Sequence, residues 1–222
     1  MRALWSASGA WRIPALWKFL HSPNYPYVDS EYGKLLCADF ASLLQFDSQW
    51  EPKLKKIITK QKNGLFVDIG ANIGFYSVMA LKNGNRVIAL EPNVRAFQAL
   101  SKNAPGAELY PFAAWSEDGT INFLEGRHTD VSHVSAKGQV TPCRRLDTIL
   151  KGRIPDLVKI DVEGAELEVF QGMPITLNRG KGMKIIFESL DATKLRLASD
   201  FLRSFGFMVA PLDRSNYYAW HN

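Results

Sequence analysis

The chain has 222 residues, 46% apolar and 22% charged, with a formal net charge of +5. This is ordinary globular usage, which excludes a disordered tail, and the length suits one α/β domain with a modest extension rather than two full domains. Nine Lys/Arg face five Asp/Glu in residues 1–64, against eighteen and seventeen in 65–222, so the basic excess sits at the N-terminal end. It is read as solvated surface, with contact to phosphate, an anionic membrane or an acidic partner as the alternative. Cys37 and Cys143 lack metal-ligand spacing and read as free thiols in a reducing compartment, so a cytoplasmic protein is expected.

In chain order, residues 1–47 are expected to form an N-terminal extension or cap, and residues 48–222 the main domain. Arg12, Pro14 and Lys18 interrupt the apolar character of the first twenty residues, so neither a signal peptide nor a transmembrane segment is expected. Trp5, Trp11 and Trp17 offer a surface that packs over the main domain, with interfacial membrane contact as the lesser reading. Residues 22–34 are rich in Pro, Tyr and Gly and read as an irregular connector. From Ser48 to Gln61 the spacing is helical, with Leu54, Ile57 and Ile58 on one face.

An alternation of strand and helix follows. Strands are predicted at Leu65–Ile69, Arg86–Leu90, Glu108–Phe112, Leu157–Asp161 and Lys184–Glu188, and helices at Gly74–Leu81, Asn93–Asn103 and Ala165–Gly172. Val94, Phe97 and Leu100 would line the inner face of the second of those helices. Thr120–Leu124 and Gln139–Arg144 read as short strands flanking a polar loop. Leu195, Ala198, Leu202 and Phe205 follow helical spacing, and Met208–Leu212 with Tyr217–Trp220 close the chain as two strands. The pattern predicts a Rossmann-like, mostly parallel sheet covered on both faces, with an antiparallel addition at one edge.

Three segments fall where strands end. In Val67-Asp68-Ile69-Gly70-Ala71-Asn72-Ile73-Gly74, two glycines allow a tight turn and close approach of a ligand to the backbone. The spacing is G-x-x-x-G, which counts against NAD. Free amides at the following helix start would receive the carboxylate of a methionine moiety. Glu91, in Ala89-Leu90-Glu91-Pro92-Asn93, lies one strand over, where an acid accepts ribose hydroxyls. Trp115 and Ser116, in the loop Ala113–Gly119, fall where an adenine ring would pack.

VDIGANIGFYSVMA, IALEPN, AAWSEDGTINF, RRLDTIL and VKIDVEGAELEVFQGM stand in the order seen in FkbM-family methyltransferases, and the resemblance covers about residues 48–210. It implies a class I S-adenosylmethionine (SAM)-dependent methyltransferase fold and O-methylation, often of sugar or polyketide hydroxyls. By resemblance Asp68, Gly70, Asn72 and Gly74 match the first SAM motif, and Glu91 the ribose-binding acid. Asp161 and Glu163 match the second hallmark, and Trp50-Glu51-Pro52 the segment that covers the cofactor. With their immediate neighbours, the expected cofactor contacts are Glu51, Asp68, Gly70, Ala71, Asn72, Gly74, Phe75, Glu91, Pro92, Asn93, Ala114, Trp115 and Asp161.

A hydroxyl acceptor must lose its proton as it attacks, so a base is sought. Asp161, Glu163 and Glu188 end neighbouring central strands and are expected to converge. Either one acts as base with a pKa raised by its neighbours, or the three hold a divalent cation, Mg²⁺ before Zn²⁺ in the absence of His or Cys. The metal-free reading is preferred. His128 and His133 flank the polar loop, and His133 is a further candidate base. Arg144 and Arg145 are candidate partners of acidic substrate groups. The expected acceptor is a glycan or small-molecule hydroxyl. Two rivals stand beside it: an RNA methyltransferase whose basic N-terminal segment holds phosphate, and a SAM-binding partner protein without catalysis. No pattern sets an oligomeric state.

Overall fold

In the computed structural model the described residues are 27–39, 41–46, 50–126, 133–135 and 137–221. The tryptophans of segment 1–20 and His128 lie outside them. The elements in order are β1 (Tyr27–Ser30), β2 (Gly33–Leu36), a 3₁₀ turn (Ala41–Phe46), α1 (Pro52–Lys60), β3 (Leu65–Ile69), α2 (Phe75–Lys82), β4 (Arg86–Leu90), α3 (Val94–Asn103) and β5 (Glu108–Tyr110). Then come β6 (Ala113–Ala114), β7 (Gly119–Leu124), β8 (His133–Val134), β9 (Gln139–Arg144), α4 (Leu146–Leu150), β10 (Leu157–Ile160), α5 (Glu166–Gln171), α6 (Pro174–Arg179), β11 (Lys184–Glu188), α7 (Ala192–Ser204), β12 (Met208–Pro211) and β13 (Asn216–Trp220).

Seven strands form the main sheet in the order β12-β13-β11-β10-β3-β4-β5. From β11 to β5 all neighbours are parallel, and β13 runs antiparallel between β11 and β12. The order reverses between β3 and β10. The chain winds outward from β3 through β4 to β5, then returns to place β10 on the other side of β3. That reversal opens a crevice above the carboxyl ends of β3 and β10, the usual ligand position in such sheets. β3 is buried at all five positions, which is why its sequence is continuously apolar apart from Asp68.

Two cores flank the sheet. Val67, Ile69, Val158, Ile160, Ile185 and Phe187 pack with Phe170, Leu177 and Leu202 on one side. Phe66, Leu157, Ile186 and Ala89 pack with Leu54, Ile58, Met79 and Leu100 on the other. Full burial of each such side chain contributes about 1.5–3 kcal/mol. Helix starts are specified locally. The Asn93 side chain accepts the amides of Arg95 and Ala96 at 3.0 and 3.1 Å, and Asp191 does the same for α7. Asp147, within the RRLDTIL segment, accepts the amides of Ile175 and Thr176 at 2.9 Å each and so holds the start of α6.

Three expectations are corrected. Residues 27–36 form a hairpin, not an irregular connector, with Gly33 at φ 110 in its turn. β5 stops at Tyr110, two residues short, because Pro111 offers no amide to continue the ladder. Val94 is 60% exposed; Ala96, Ala99 and Leu100 make the buried face of α3, with Phe97 half-buried beside them. After β5 the two expected short strands form, as β7 and β9. β6, β7, β8 and β9 make a second sheet, in the order β6-β9-β7-β8, beside the crevice.

Candidate active site

A cavity of about 300 Å³ opens at the reversal between β3 and β10. Of the residues singled out by sequence, Glu51, Gly70, Ala71, Asn72, Glu91, Pro92, Ala114, Trp115, Asp161, Glu163 and Glu188 line it. Asp68, Gly74, Phe75 and Asn93 stand behind that lining. Asp68 is fully buried and accepts the Ser77 hydroxyl at 2.7 Å. A Cβ on Gly74 would meet Leu100 Cδ1 at 2.6 Å, so the glycine lets α2 sit against α3. Phe75 packs edge-on against Tyr32, Phe46 and Tyr76. Asn93 is the cap of α3. Among these, Gly70 carries the sharpest requirement. Its φ is +73, and a Cβ there would lie 1.8 Å from the carbonyl oxygen of Asp161.

Four amides of the glycine turn are engaged within the protein. Gly70 and Ala71 both donate to the Leu90 carbonyl at 3.0 Å, and Gly74 donates to the Ala71 carbonyl at 2.8 Å. Asn72 donates to Glu91 Oε2 at 2.8 Å. The turn therefore braces the backbone of β4 and orients Glu91, whose Oε1 accepts the Asn93 amide at 2.8 Å. Burial pushes the Glu91 carboxyl up to about 7, against the pull of those two amides. The side-chain oxygen of Asn72 is buried with no hydrogen-bond partner.

At the ends of β10 and β11, carboxylate oxygens of Asp161, Glu163 and Glu188 lie within 4.8 Å of one another. Glu163 takes a left-handed backbone, φ +53, to reach this position. Burial, then the charge of Asp161, raise Glu188 to about 8. Glu166, by contrast, is buried outside the lining and accepts the Gly164 amide at 2.9 Å.

Sequence reasoning missed Lys159 and Tyr76. Lys159 sits on β10 two residues before Asp161 and so projects from the same face. Its Nζ lies 3.1 Å from Asp161 Oδ2 and 3.9 Å from Asp68 Oδ1. Burial alone would lower its pKa, but Asp161, Asp68 and Glu51 outweigh it and raise it. The Tyr76 hydroxyl donates to Glu51, whose other oxygen accepts the Asn216 amide group at 2.8 Å. Glu51 itself has φ 48, at the turn that brings α1 to the cavity.

His133 is exposed and the next residue, Val134, lines the cavity instead. Strand alternation sends neighbours to opposite faces, so a base at His133 has no support from this placement. Arg144 lies with its guanidinium 5.7 Å from the Phe112 ring centre, and Arg145 pairs with Asp147 at 3.6 Å; neither lines the cavity. Lys184 stands at the start of β11, at the opposite end from Glu188. Among the described residues no helix is long and apolar enough to cross a membrane.

The model of the methyltransferase FkbM domain matches residues 68–214. The hexuronic acid methyltransferase AglP of Haloferax volcanii is 32% identical over 127 residues, and the match covers 51% of each chain, so this chain spans about half the length of that relative. Among solved structures, the precorrin-6y C5,15-methyltransferase of Geobacter metallireducens superposes with a TM-score of 0.52 at 16% identity, covering 90% of this chain and 100% of that one. The 16S rRNA methyltransferase RsmC of T. Thermophilus gives 0.51 at 12% identity, covering 90% and 50%. At such identities the likeness shows the fold alone, the class I methyltransferase fold with its mixed seven-stranded sheet. The match across most of the sheet, with its glycine turn and carboxylate strand end, places the chain in the FkbM family of SAM-dependent methyltransferases.

Proposed function

We propose that the chain transfers a methyl group from SAM to a hydroxyl oxygen of a sugar or small metabolite, with Glu188 as the base. The observation that carries this reading is the convergence of Asp161, Glu163 and Glu188 beside the glycine turn, with Glu188 raised to about 8. A positioned carboxylate of that pKa suits removal of a hydroxyl proton near neutrality.

The residues present fit SAM. Gly70 lets the turn approach the Asp161 backbone more closely than any Cβ would allow, Glu91 is a buried acceptor one strand over, and Asn72 offers an unpartnered buried oxygen. On this reading Glu91 holds the ribose hydroxyls, and Phe112, Ala114 and Trp115 wall the adenine. Bound SAM supplies a methyl group made electrophilic by its sulfonium. The protein aligns the acceptor oxygen and excludes water, and alignment of this kind is worth roughly 7–11 kcal/mol of barrier. Phe123, Val134 and the 79%-exposed Leu190 form an apolar rim suited to the second task. Lys159 already supplies the counter-charge of Asp161, which supports transfer without a divalent cation. The name of the Haloferax relative makes hexuronate-bearing glycans the first acceptors to offer.

The test is label transfer from methyl-labelled SAM to hexuronate glycans, neutral hydroxylated metabolites and RNA, with and without EDTA. Labelled sugar or metabolite hydroxyl, undiminished by EDTA and reduced about 10²–10⁴-fold in Glu188→Gln, is expected. Label on RNA alone, or full transfer by Glu188→Gln, would overturn the reading.

A further inference from the structure

The cavity has a direction. In the sheet order, Phe112, Ala114 and Trp115 follow β5 on one side of Glu91, which follows β4; Gly70, after β3, lies on the other, and beyond it come Lys159 of β10 and Asp161 just after it, with Tyr76 and Glu51 beside Lys159. If Glu91 marks the ribose, the second end receives the aminoacyl tail, which carries a carboxylate and an ammonium. A carboxylate taken out of water needs a cation or several donors. The amides of Gly70, Ala71, Asn72 and Gly74 are already engaged by Leu90, Glu91 and Ala71.

Lys159 is the cation that lines this cavity among the described residues, and its side chain is only 4% exposed. An ammonium carries three N–H groups. One is within hydrogen-bond distance of Asp161 Oδ2, at 3.1 Å. Asp68 Oδ1, at 3.9 Å, has no hydrogen-bond partner, so it attracts Lys159 by charge and leaves its donors uncommitted. The Tyr76 ring covers the ammonium from above, 5.2 Å from ring centre to Nζ. Around this one cation stand Asp68, Asp161 and Glu51, an excess of negative charge that suits the ammonium of the same tail.

We propose that Lys159 receives the carboxylate of the cofactor's aminoacyl tail while Asp161 receives its ammonium, so that the pair reads the zwitterion. This rests on the cavity being the SAM site. A lysine serving only as the counter-charge of buried Asp68 would look similar in sequence but would be indifferent to the ligand's carboxylate.

Calorimetric binding of S-adenosylhomocysteine and its decarboxylated analogue, which keeps the ammonium, separates the two roles. Wild type should prefer the carboxylated ligand by about tenfold to hundredfold, the range of a charge-assisted hydrogen bond. Lys159→Met should bind both equally, through selective loss of the carboxylated one. Should Lys159→Met fail to fold, the Asp68→Asn, Lys159→Met double variant removes the buried charges together and is compared with Asp68→Asn alone. Equal binding of both ligands by wild type overturns the proposal and leaves the SAM site standing, as does a preference that survives loss of Lys159. Equal weakening of both ligands assigns Lys159 a structural role only and also overturns it. Failure of wild type to bind either ligand overturns the reading of the cavity itself.

Discussion

In the proposed reaction Glu188 joins chemistry and stability in one side chain. As a base it must be deprotonated, so kcat/KM should rise with pH to a plateau with a midpoint at about 8. Stability runs the other way. Its folded pKa lies above the ordinary carboxylate value, so the folded state holds the proton more tightly. That contribution is complete below the unfolded pKa, near 4.5, and is lost as pH rises through about 8. Glu188→Gln, which imitates the neutral carboxyl, should therefore melt higher than wild type at pH 9 and close to it at pH 4. A pH-independent difference in melting temperature would show that the carboxylate cluster does not impose this strain. At this scale the sequence was most legible where a residue type has one physical use. Gly70 reads as a close approach because only hydrogen fits there, and Glu91 reads as a buried acceptor. Lys159 was illegible because a lysine inside VKID looks like a break in an apolar strand. Its meaning appears only with the register that sets it opposite Asp68 and on the face of Asp161.

The elements that hold the site are tied by caps and straps. Asp147 sits far from the carboxylate cluster in role, accepting two amides and the Thr176 hydroxyl at the start of α6. Asp147→Ala should cost about 0.5–2 kcal/mol of stability in denaturant unfolding and leave methyl transfer per folded molecule unchanged. A fall in turnover without a fall in stability would give the RRLDTIL segment a functional role instead. Glu51, by contrast, joins the turn before α1 to Tyr76 and to buried Asn216 on β13. Asn216→Ala frees one Glu51 oxygen and should weaken SAM binding several-fold, as one hydrogen bond of about 1 kcal/mol implies. Unchanged affinity would mean the Tyr76 bond alone fixes the turn. Parallel strands were legible because burial on both faces makes them short apolar runs. β6 and β8, two residues each, carry no period to read, and the β1–β2 hairpin was obscured by its Pro- and Tyr-rich flank.

For the molecule as a whole, one topological reversal organises the rest. It sets Gly70 against the Asp161 carbonyl, places Glu91 one strand away and gathers three carboxylates at the ends of β10 and β11. The alternation of strands and helices foretold the layers. It did not foretell which residues line the cavity: Asp68, Gly74, Phe75 and Asn93 belong to motifs that contain lining residues, yet brace those residues from behind. A motif records what a turn needs in order to form, and only part of that set faces the ligand. The central claim is that the reversal holds SAM with Glu91 on its ribose, and calorimetric titration of SAM into wild type and Glu91→Ala tests it most directly. Saturable binding by wild type, weakened about tenfold or more in the variant, is the predicted result. Equal affinity in the two proteins, or no binding by wild type, would contradict it.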